Sequence, residues 1–322
     1  MEEKLVNILN AMADFLNIAQ MKKLQEVLLA NLSQDSAQKE EISNEEYLKL
    51  FLDAKKIEGC SLRTLQYYEV TVRHFLSKLD IPIRKMTTDD IRSYLVSYQQ
   101  INNCSKVTVD NVRRNISSFF SWLEEEDYVL KSPMRRIHKI KTKKVVKETI
   151  TDEGIEQLRD HCTQIRDIAI IDLLYSTGIR VGELVNLNIE DVDFEQRECV
   201  VFGKGDKERR VYFDAKAKIH LKEYLETRTD ENPALFVTLD APFDRLKISG
   251  VEIRLRELGR SVGLHKIHPH KFRRTMATRA IDRGMPIEQV QKILGHSQID
   301  TTMQYAIVNQ ENVKNSHRKF IA

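Results

Sequence analysis

The chain has 322 residues, 41% hydrophobic and 31% charged. That composition excludes a disordered polymer, and the length suits about two domains. No stretch approaches the roughly 18 apolar residues of a membrane span. The acidic start MEEKLVNILN also lacks the basic-then-apolar layout of a secretory signal, so a cytoplasmic protein without membrane partners is expected. The four cysteines, Cys60, Cys104, Cys162 and Cys199, lie far apart, which argues against a disulfide framework or a CxxC zinc site. Eleven glycines and six prolines imply few tight turns and lean the expectation toward helix.

The net charge of +3 is unevenly distributed. Residues 1–40 carry four Lys/Arg against six Asp/Glu, and residues 41–130 carry twelve against fourteen. Residues 149–322 balance at twenty-seven each. The segment KSPMRRIHKIKTKKVVKE, residues 131–148, carries eight against one. A solvated linker would account for such a block. So would a strap along a polyanion, with Arg135, Arg136, Lys139, Lys141, Lys143 and Lys144 each facing a phosphate.

In chain order, residues 2–34 read as an amphipathic helix, with Leu5, Leu9, Met12, Leu16 and Ala19 followed by Leu24, Leu28 and Leu32. This N-terminal extension, residues 1–40, would either cap the next domain or dock a partner. Residues 41–130 then predict a compact bundle of four helices, at about 44–57, 62–79, 88–100 and 106–126. Ser61 and Thr87 stand as N-caps, Thr87 with Asp90 in capping-box spacing. Residues 131–148 are the expected interdomain linker, and 149–322 a second, mostly helical domain opening at the N-cap Thr151. Within it, ECVVF and RRVYF flank GKGDKE and predict a β-hairpin. PALFV suggests a further strand or short extended piece, and the pattern is helical again from about 245. The fold class is therefore mainly α with a small antiparallel sheet.

Several motifs carry little chemistry alone. GKGDK lacks the spacing of a nucleotide P-loop, and His265, His268, His270 and His296 lack HExxH spacing. What stands out is a set of cations and one tyrosine. Arg180 lies in YSTGIRVGEL and Lys204 at the hairpin tip. His270 and Arg273 are one helical turn apart in HPHKFRRTMATRA, where Pro269 suits a helix start. His296 follows Gly295, and Tyr305 lies nine residues on. Arginines grip phosphate oxygens with a bidentate fork, and fixed cations can stabilise charge building on a phosphoryl group. A tyrosine hydroxyl can be a nucleophile, histidines can shuttle protons, and a lysine can protonate a leaving alcohol. The same residue types also serve as structural hydrogen bonders, and spacing alone does not choose between these readings.

These residues occur in motifs that resemble the catalytic domain of the tyrosine recombinase (phage integrase) family, over residues ~149–310. STGIRVGELVNLNIEDVDF is similar to the family's first box, with Arg180 as its arginine and Glu183 at its acidic position. GKGDKERRVYF resembles the hairpin of the catalytic lysine, Lys204. HPHKFRRTMAT resembles the His-x-x-Arg box of His270 and Arg273, and LGHSQIDTTMQYA the final box of His296 and Tyr305. Many members carry histidine after the second arginine, where this chain has Arg274. Residues 44–130 resemble, more loosely, the SAM-like core-binding domain.

The resemblance implies a two-domain clamp on double-stranded DNA recombination sites. Tyr305 would attack the scissile phosphate and leave a 3′-phosphotyrosyl bond. Arg180, Arg273, His270 and His296 would hold the phosphate, Lys204 would protonate the departing 5′-oxygen, and Glu183 would orient a neighbour. Neither metal, ATP nor any other cofactor is implied. A homo-tetramer on two sites would pass through a Holliday junction, with a possible accessory DNA-bending or directionality protein. The tail after Tyr305 would dock on a neighbouring protomer or, as the alternative, pack on its own. With only about forty residues before the bundle, no arm-binding domain is expected. Mobile-element integration or excision, or DNA inversion, is the leading role, and Xer-type dimer resolution the alternative. The rivals are a non-catalytic DNA-binding regulator on the same fold and a type IB topoisomerase.

Overall fold

The computed structural model describes residues 8–13, 15–34, 42–142, 148–203 and 208–305. The chain divides into two compact units, Met1–Lys144 and Val145–Ala322. Among the described residues no helix is long and apolar enough to cross a membrane.

Among its described residues, the first unit's regular structure is all helical. A short turn of helix covers residues 8–12 and is followed by α1, Ile18–Gln34. The continuous N-terminal helix expected from the apolar stripe is thus interrupted within 13–17. The reason is local: Asn17 and Gln20 exchange two backbone-to-side-chain hydrogen bonds of 3.0 Å, which start a new helix at Ile18. The apolar residues around the break face solvent, Phe15 at 79% and Ile18 at 91% exposure.

The four helices of the bundle are α2 (Asn44–Ile57), α3 (Leu62–Leu79), α4 (Thr88–Ile101) and α5 (Lys106–Glu125). Each begins at a hydroxyl that accepts an otherwise unpaired backbone N–H, from Ser43, Ser61, Thr87 and Ser105 respectively. Ser43 with Glu46, and Thr87 with Asp90, complete reciprocal capping boxes. The core is aromatic. Phe51 meets Tyr68, Phe119 and Trp122 at centroid distances of 5.2–5.6 Å, and Phe75 meets Tyr94 edge-on at 5.0 Å.

The first part of the basic segment belongs to this unit. Pro133–Arg136 forms a 3₁₀ turn capped by Ser132. Met134 is buried, and Ile137 and Ile140 pack on the aromatic core. The Ile140 N–H donates to Asp110 at 3.0 Å, and Arg113 donates to the same carboxylate oxygen at 2.8 Å. Residues 131–142 therefore form a docked edge of the bundle, with their cations on the outer side, instead of a free linker.

The second unit is built on α7 (Ile165–Thr177), an apolar helix buried along most of its length. Before it lies α6, Asp152–Asp160, capped by Thr151. After it, α8 (Val181–Asn186) leads into a three-stranded antiparallel sheet, β1 (Val192–Asp193), β2 (Glu198–Phe202) and β3 (Glu208–Tyr212). The hairpin register pairs Cys199 with Val211 and Val200 with Arg210. The two-residue strand β1, which pairs Val192 with Cys199, was not foreseen, being too short for an alternation to register. PALFV forms no strand. Ala234 and Val237 make single bridges to Asn188 and Arg245, so the segment is the short extended piece.

The remaining helices are α9 (Ala215–Glu226), α10 (Ile248–Ser261), α11 (Pro269–Asp282), α12 (Ile287–Leu294) and α13 (Ile299–Met303). Helices α9 and α11 both pack on α7. The fold is mainly α with a small antiparallel sheet.

Candidate active site

Two left-handed helix ends set up the site. Gly178 closes α7 at φ +63 and Gly295 closes α12 at φ +64, a conformation that costs other residues strain. Each turns the chain sharply just before a functional side chain, Arg180 and His296. Neighbours also crowd both positions: a Cβ at Gly178 would meet the flexible tip of Met276, Cε, at 2.3 Å, and one at Gly295 would meet Arg209 Cδ and Nε at 3.0 Å.

Arg180 is the N-cap residue of α8, and Glu183 lies one turn in. The Glu183 carboxylate accepts the Arg180 N–H at 2.8 Å and Arg180 Nη1 at 2.8 Å. Arg180 Nη2 donates to the Gly295 carbonyl at 3.3 Å, while 38% of the side chain stays exposed. Glu183 also receives a two-pronged contact from Arg209, at 2.7 Å on each oxygen. Burial alone would raise the Glu183 carboxyl. The hydrogen bonds from Arg209 and Arg180 outweigh it and bring the group below the usual carboxylate range.

Arg273 is 2% exposed on α11 and has no carboxylate partner among the described residues. Its Nη1 donates to the Gly178 carbonyl at 2.7 Å, and its Nη2 to the Leu294 carbonyl at 2.6 Å and to His296 Nε2 at 2.9 Å. Burial, then the neighbouring Arg180 charge, lowers its pKa. Because a guanidinium can only donate, His296 Nε2 must carry a lone pair. The proton then sits on Nδ1, which meets the fully buried Thr302 hydroxyl at 2.8 Å. Burial first, then Arg273, Arg180 and Arg209, pushes His296 down to about 4, so it is neutral at physiological pH.

Tyr305 ends α13. Its ring stacks on His296 at 6.1 Å with an interplanar angle of 26°, and it packs against the small cluster of Ala277, Val290 and Leu294. His270, one turn before Arg273, is exposed. Partial desolvation of its ring by the surrounding protein, followed by the charges of Arg273, Arg180 and Arg274, lowers its pKa. Arg180, Glu183, Arg273, His296 and Tyr305 are therefore brought together in one subunit. Lys204 lies outside the described residues, as do Lys143, Lys144 and the tail after Tyr305.

The remaining expected cations sit on the first unit. Arg135 pairs with Glu124 at 2.7 Å, the Arg136 carbonyl accepts from Arg92 at 3.4 Å, and Arg136, Lys139 and Lys141 are exposed. Among the described residues, no group of three His, Cys, Asp or Glu comes together as a metal-ligand set. Arg180 and Arg209 thus share one carboxylate and Arg273 contacts none, leaving surplus positive charge beside the tyrosine. Arginine has more N–H donors than these contacts use, so the cluster can take an anion with phosphate-like oxygens.

The profile of the phage integrase family matches residues 148–312, and that of the phage integrase N-terminal SAM-like domain matches residues 47–129. This chain belongs to the phage integrase family. Tyrosine recombinase XerC of Leptospira interrogans is 33% identical over 287 residues, which cover 85% of this chain and 92% of the relative. XerC of Oceanobacillus iheyensis is 32% identical over 291 residues, 85% of this chain and 95% of the relative. Among solved structures, XerH site-specific recombinase bound to palindromic difH substrate, a post-cleavage complex, superposes with a TM-score of 0.69. It is 19% identical, over 97% of this chain and 93% of that one. A lambda integrase dimer bound to a COC′ core site gives 0.67 at 17% identity, over 88% and 85%. Those two structures share the fold. As a tyrosine recombinase, this phage integrase family member is an enzyme of site-specific DNA recombination.

Two features of the recombinase site escaped the reading of the motifs. Arg209 lies in the run KGDKERR, which reads as solvated charge, yet β3 alternates so that Arg209 and the buried Val211 share the inner face. A cation on the inner face of a strand calls for a buried carboxylate, and that was the available signal. Thr302 offered none, because a hydroxyl in IDTTM reads as ordinary helix surface.

Proposed function

We propose that Tyr305 cleaves one strand of a specific duplex DNA site by attacking a backbone phosphorus held between Arg180 and Arg273. The convergence of both arginines, His296 and Tyr305 on the Gly295 turn carries this reading. The tyrosine oxygen bonds to phosphorus as the bond to the 5′-oxygen breaks, giving a 3′-phosphotyrosyl link and a 5′-hydroxyl. The departing oxygen takes a proton from Lys204. The Tyr305 proton passes to His270, whose lowered pKa keeps a lone pair free at neutral pH. Arg180 and Arg273 hold the phosphate oxygens as charge develops on them, and His296, which accepts from Arg273, holds that guanidinium in place. A partner strand's 5′-hydroxyl then reverses the step, so the bond energy is retained without metal or ATP.

Two such exchanges in a homo-tetramer on two sites would build and resolve a Holliday junction, with an accessory DNA-bending or directionality protein as a further partner. The two units would clamp the duplex, aided by Arg135, Arg136, Lys139, Lys141, Lys143 and Lys144 through phosphate contacts. A nicked duplex carrying the site tests the chemistry. The wild-type chain should form a covalent adduct and Tyr305→Phe should bind the DNA without one. An adduct with Tyr305→Phe overturns the reading, as does relaxation of plasmids that lack the site, the behaviour of a topoisomerase.

For the biological role, mobile-element integration or excision, or inversion, is the first reading. Xer-type chromosome or plasmid dimer resolution is the second, favoured by relatives named XerC that match over 92% and 95% of their length. Accumulation of chromosome dimers in cells lacking the gene supports the second, and normal monomers support the first.

A further inference from the structure

Arg209 has geometry that the cleavage scheme leaves unused. It projects inward from β3, 12% exposed, and touches two different elements of the site. One is Glu183 of α8, gripped on both oxygens at 2.7 Å. The other is the end of α12, where Nε donates to the Ile293 carbonyl at 3.0 Å. That carbonyl is in the last turn, where helix acceptors have no intrahelical donor. The stem of Arg209 lies against Gly295, so close that a Cβ there would press on it at 3.0 Å.

We infer that Arg209 is a positioning residue that ties strand β3 to the phosphate-binding arginine Arg180 and to the turn presenting His296. The inference rests on the proposed cleavage reading of that site. The electrostatic argument concerns Glu183. Its carboxylate faces both Arg180 and Arg209. With Arg209 present, the carboxylate's charge is matched by Arg209, and Arg180 keeps its own charge for an incoming phosphate. Without Arg209, Glu183 would be left paired with Arg180 alone, which would neutralise the cation that the reaction needs. The geometric argument concerns the turn at 293–295. It carries the Ile293, Leu294 and Gly295 carbonyls that hold Arg209, Arg273 and Arg180 respectively. Releasing one of these three loosens the segment that orients His296. Lysine cannot substitute, because a single ammonium lacks the planar fork that spans Glu183 and the Ile293 carbonyl together. The next residue supplies a contrast: Arg210 points outward, 62% exposed, and pairs only with Glu198 among the described residues.

The test uses the full chain and a nicked duplex selected from a randomised library by covalent capture with the wild-type protein. Adduct formation is followed in single turnover against DNA concentration. Arg209→Ala should slow cleavage at saturating DNA by about 100-fold while changing half-saturation by less than about 3-fold. Arg209→Lys should remain within about tenfold of Arg209→Ala, and Arg210→Ala should cleave within about 3-fold of wild type. A methylphosphonate at the scissile position, which removes a phosphate charge, should narrow the gap between Arg209→Ala and wild type to under about tenfold. A simple loss of folding would slow both substrates alike. The inference is overturned if Arg209→Ala cleaves at the wild-type rate, if Arg210→Ala loses as much, or if the methylphosphonate leaves the gap unchanged. A wild-type chain that captures no duplex breaks the cleavage reading itself and the inference with it, whereas the other failures appear only in the variants.

Discussion

On α7, the fully buried Asp172 accepts Arg159 Nε at 2.7 Å and meets His220 Nδ1 at 2.5 Å, and Arg159 in turn reaches Glu156, which also pairs with Lys216. Asp167 on the same helix receives Arg166 at 3.0 Å and Arg254 at 2.5 Å, with Glu257 beyond at 3.6 Å. In both groups two arginines or lysines meet two carboxylates. At the third group, Arg180 and Arg209 meet the single carboxylate of Glu183, and the neighbouring Arg273 has none. All three groups lie in the same unit and all bury charge, so burial alone does not mark the reacting site. The balance does. A charge-neutral network holds elements together, whereas a network with cations left over is waiting for an anion.

Removing a charge should therefore act differently in the two kinds of network. Asp172→Asn keeps the shape but leaves Arg159, itself 10% exposed, without its buried counter-charge. Breaking a buried pair in this way costs about 3–5 kcal/mol, the largest stability loss among these tests. Thermal melts should fall accordingly, and covalent capture per folded molecule at low temperature should remain near wild type. If capture is lost while the melt is unchanged, the balanced network is part of the chemistry and the contrast with the Glu183 group fails.

The contrast was partly legible in the residues. The boxes around Arg180, Lys204, His270 and Tyr305 pointed to the family, and Ser61, Thr87 and Thr151 cap helices as their spacing implied. Hydroxyl caps act within one turn, so a linear reading captures them. The surplus of charge was not legible, because it depends on which cations face inward. Arg209 and Arg210 are adjacent in sequence and differ only in the face of β3 they occupy. The docking of residues 131–142 was hidden for a similar reason. Met134, Ile137 and Ile140 turn to the core at every third position, the first buried and the other two partly so, in a run dominated by Lys and Arg. The break before Ile18 escaped because Asn17 and Gln20 form their cap inside an unbroken apolar stripe.

A second test reads the surplus directly through pH. His296 is pushed down to about 4 by burial and by the three arginines, from an ordinary value of 6.5. The unfolded chain therefore binds a proton that the folded chain refuses between those values. The sign follows: stability from this group is fully present above about 6.5 and is lost as pH falls through about 4. Glu183, also depressed, adds to the loss at the acid end. His296→Gln should flatten the melting temperature between pH 6.5 and 4.5, and Glu183→Gln should flatten it further down. An anion should also relieve the surplus. Orthovanadate or inorganic phosphate bound between the arginines should raise the His296 titration seen by NMR toward its ordinary value. A His296 pKa near 6.5 in the free protein would mean that the arginine charges are already neutralised.

The smallest effect belongs to the helical unit, whose stability rests on aromatic burial and helix caps. Ser105 opens α5 by accepting the Thr108 N–H at 3.2 Å, and α5 supplies Phe119, Phe120 and Trp122 to the core. Ser105→Ala leaves that N–H to water and should cost about 1 kcal/mol. The burial of the aromatic face, which lies one turn and more beyond the cap, should hold the helix in place. The predicted result is a melting transition lower by a few degrees, with unchanged pH dependence between 6.5 and 4 because no charge has moved. A pH-dependent loss in Ser105→Ala would mean that the helical unit, too, balances charge through this helix start, and the division between a region built on burial and one built on charge would not stand.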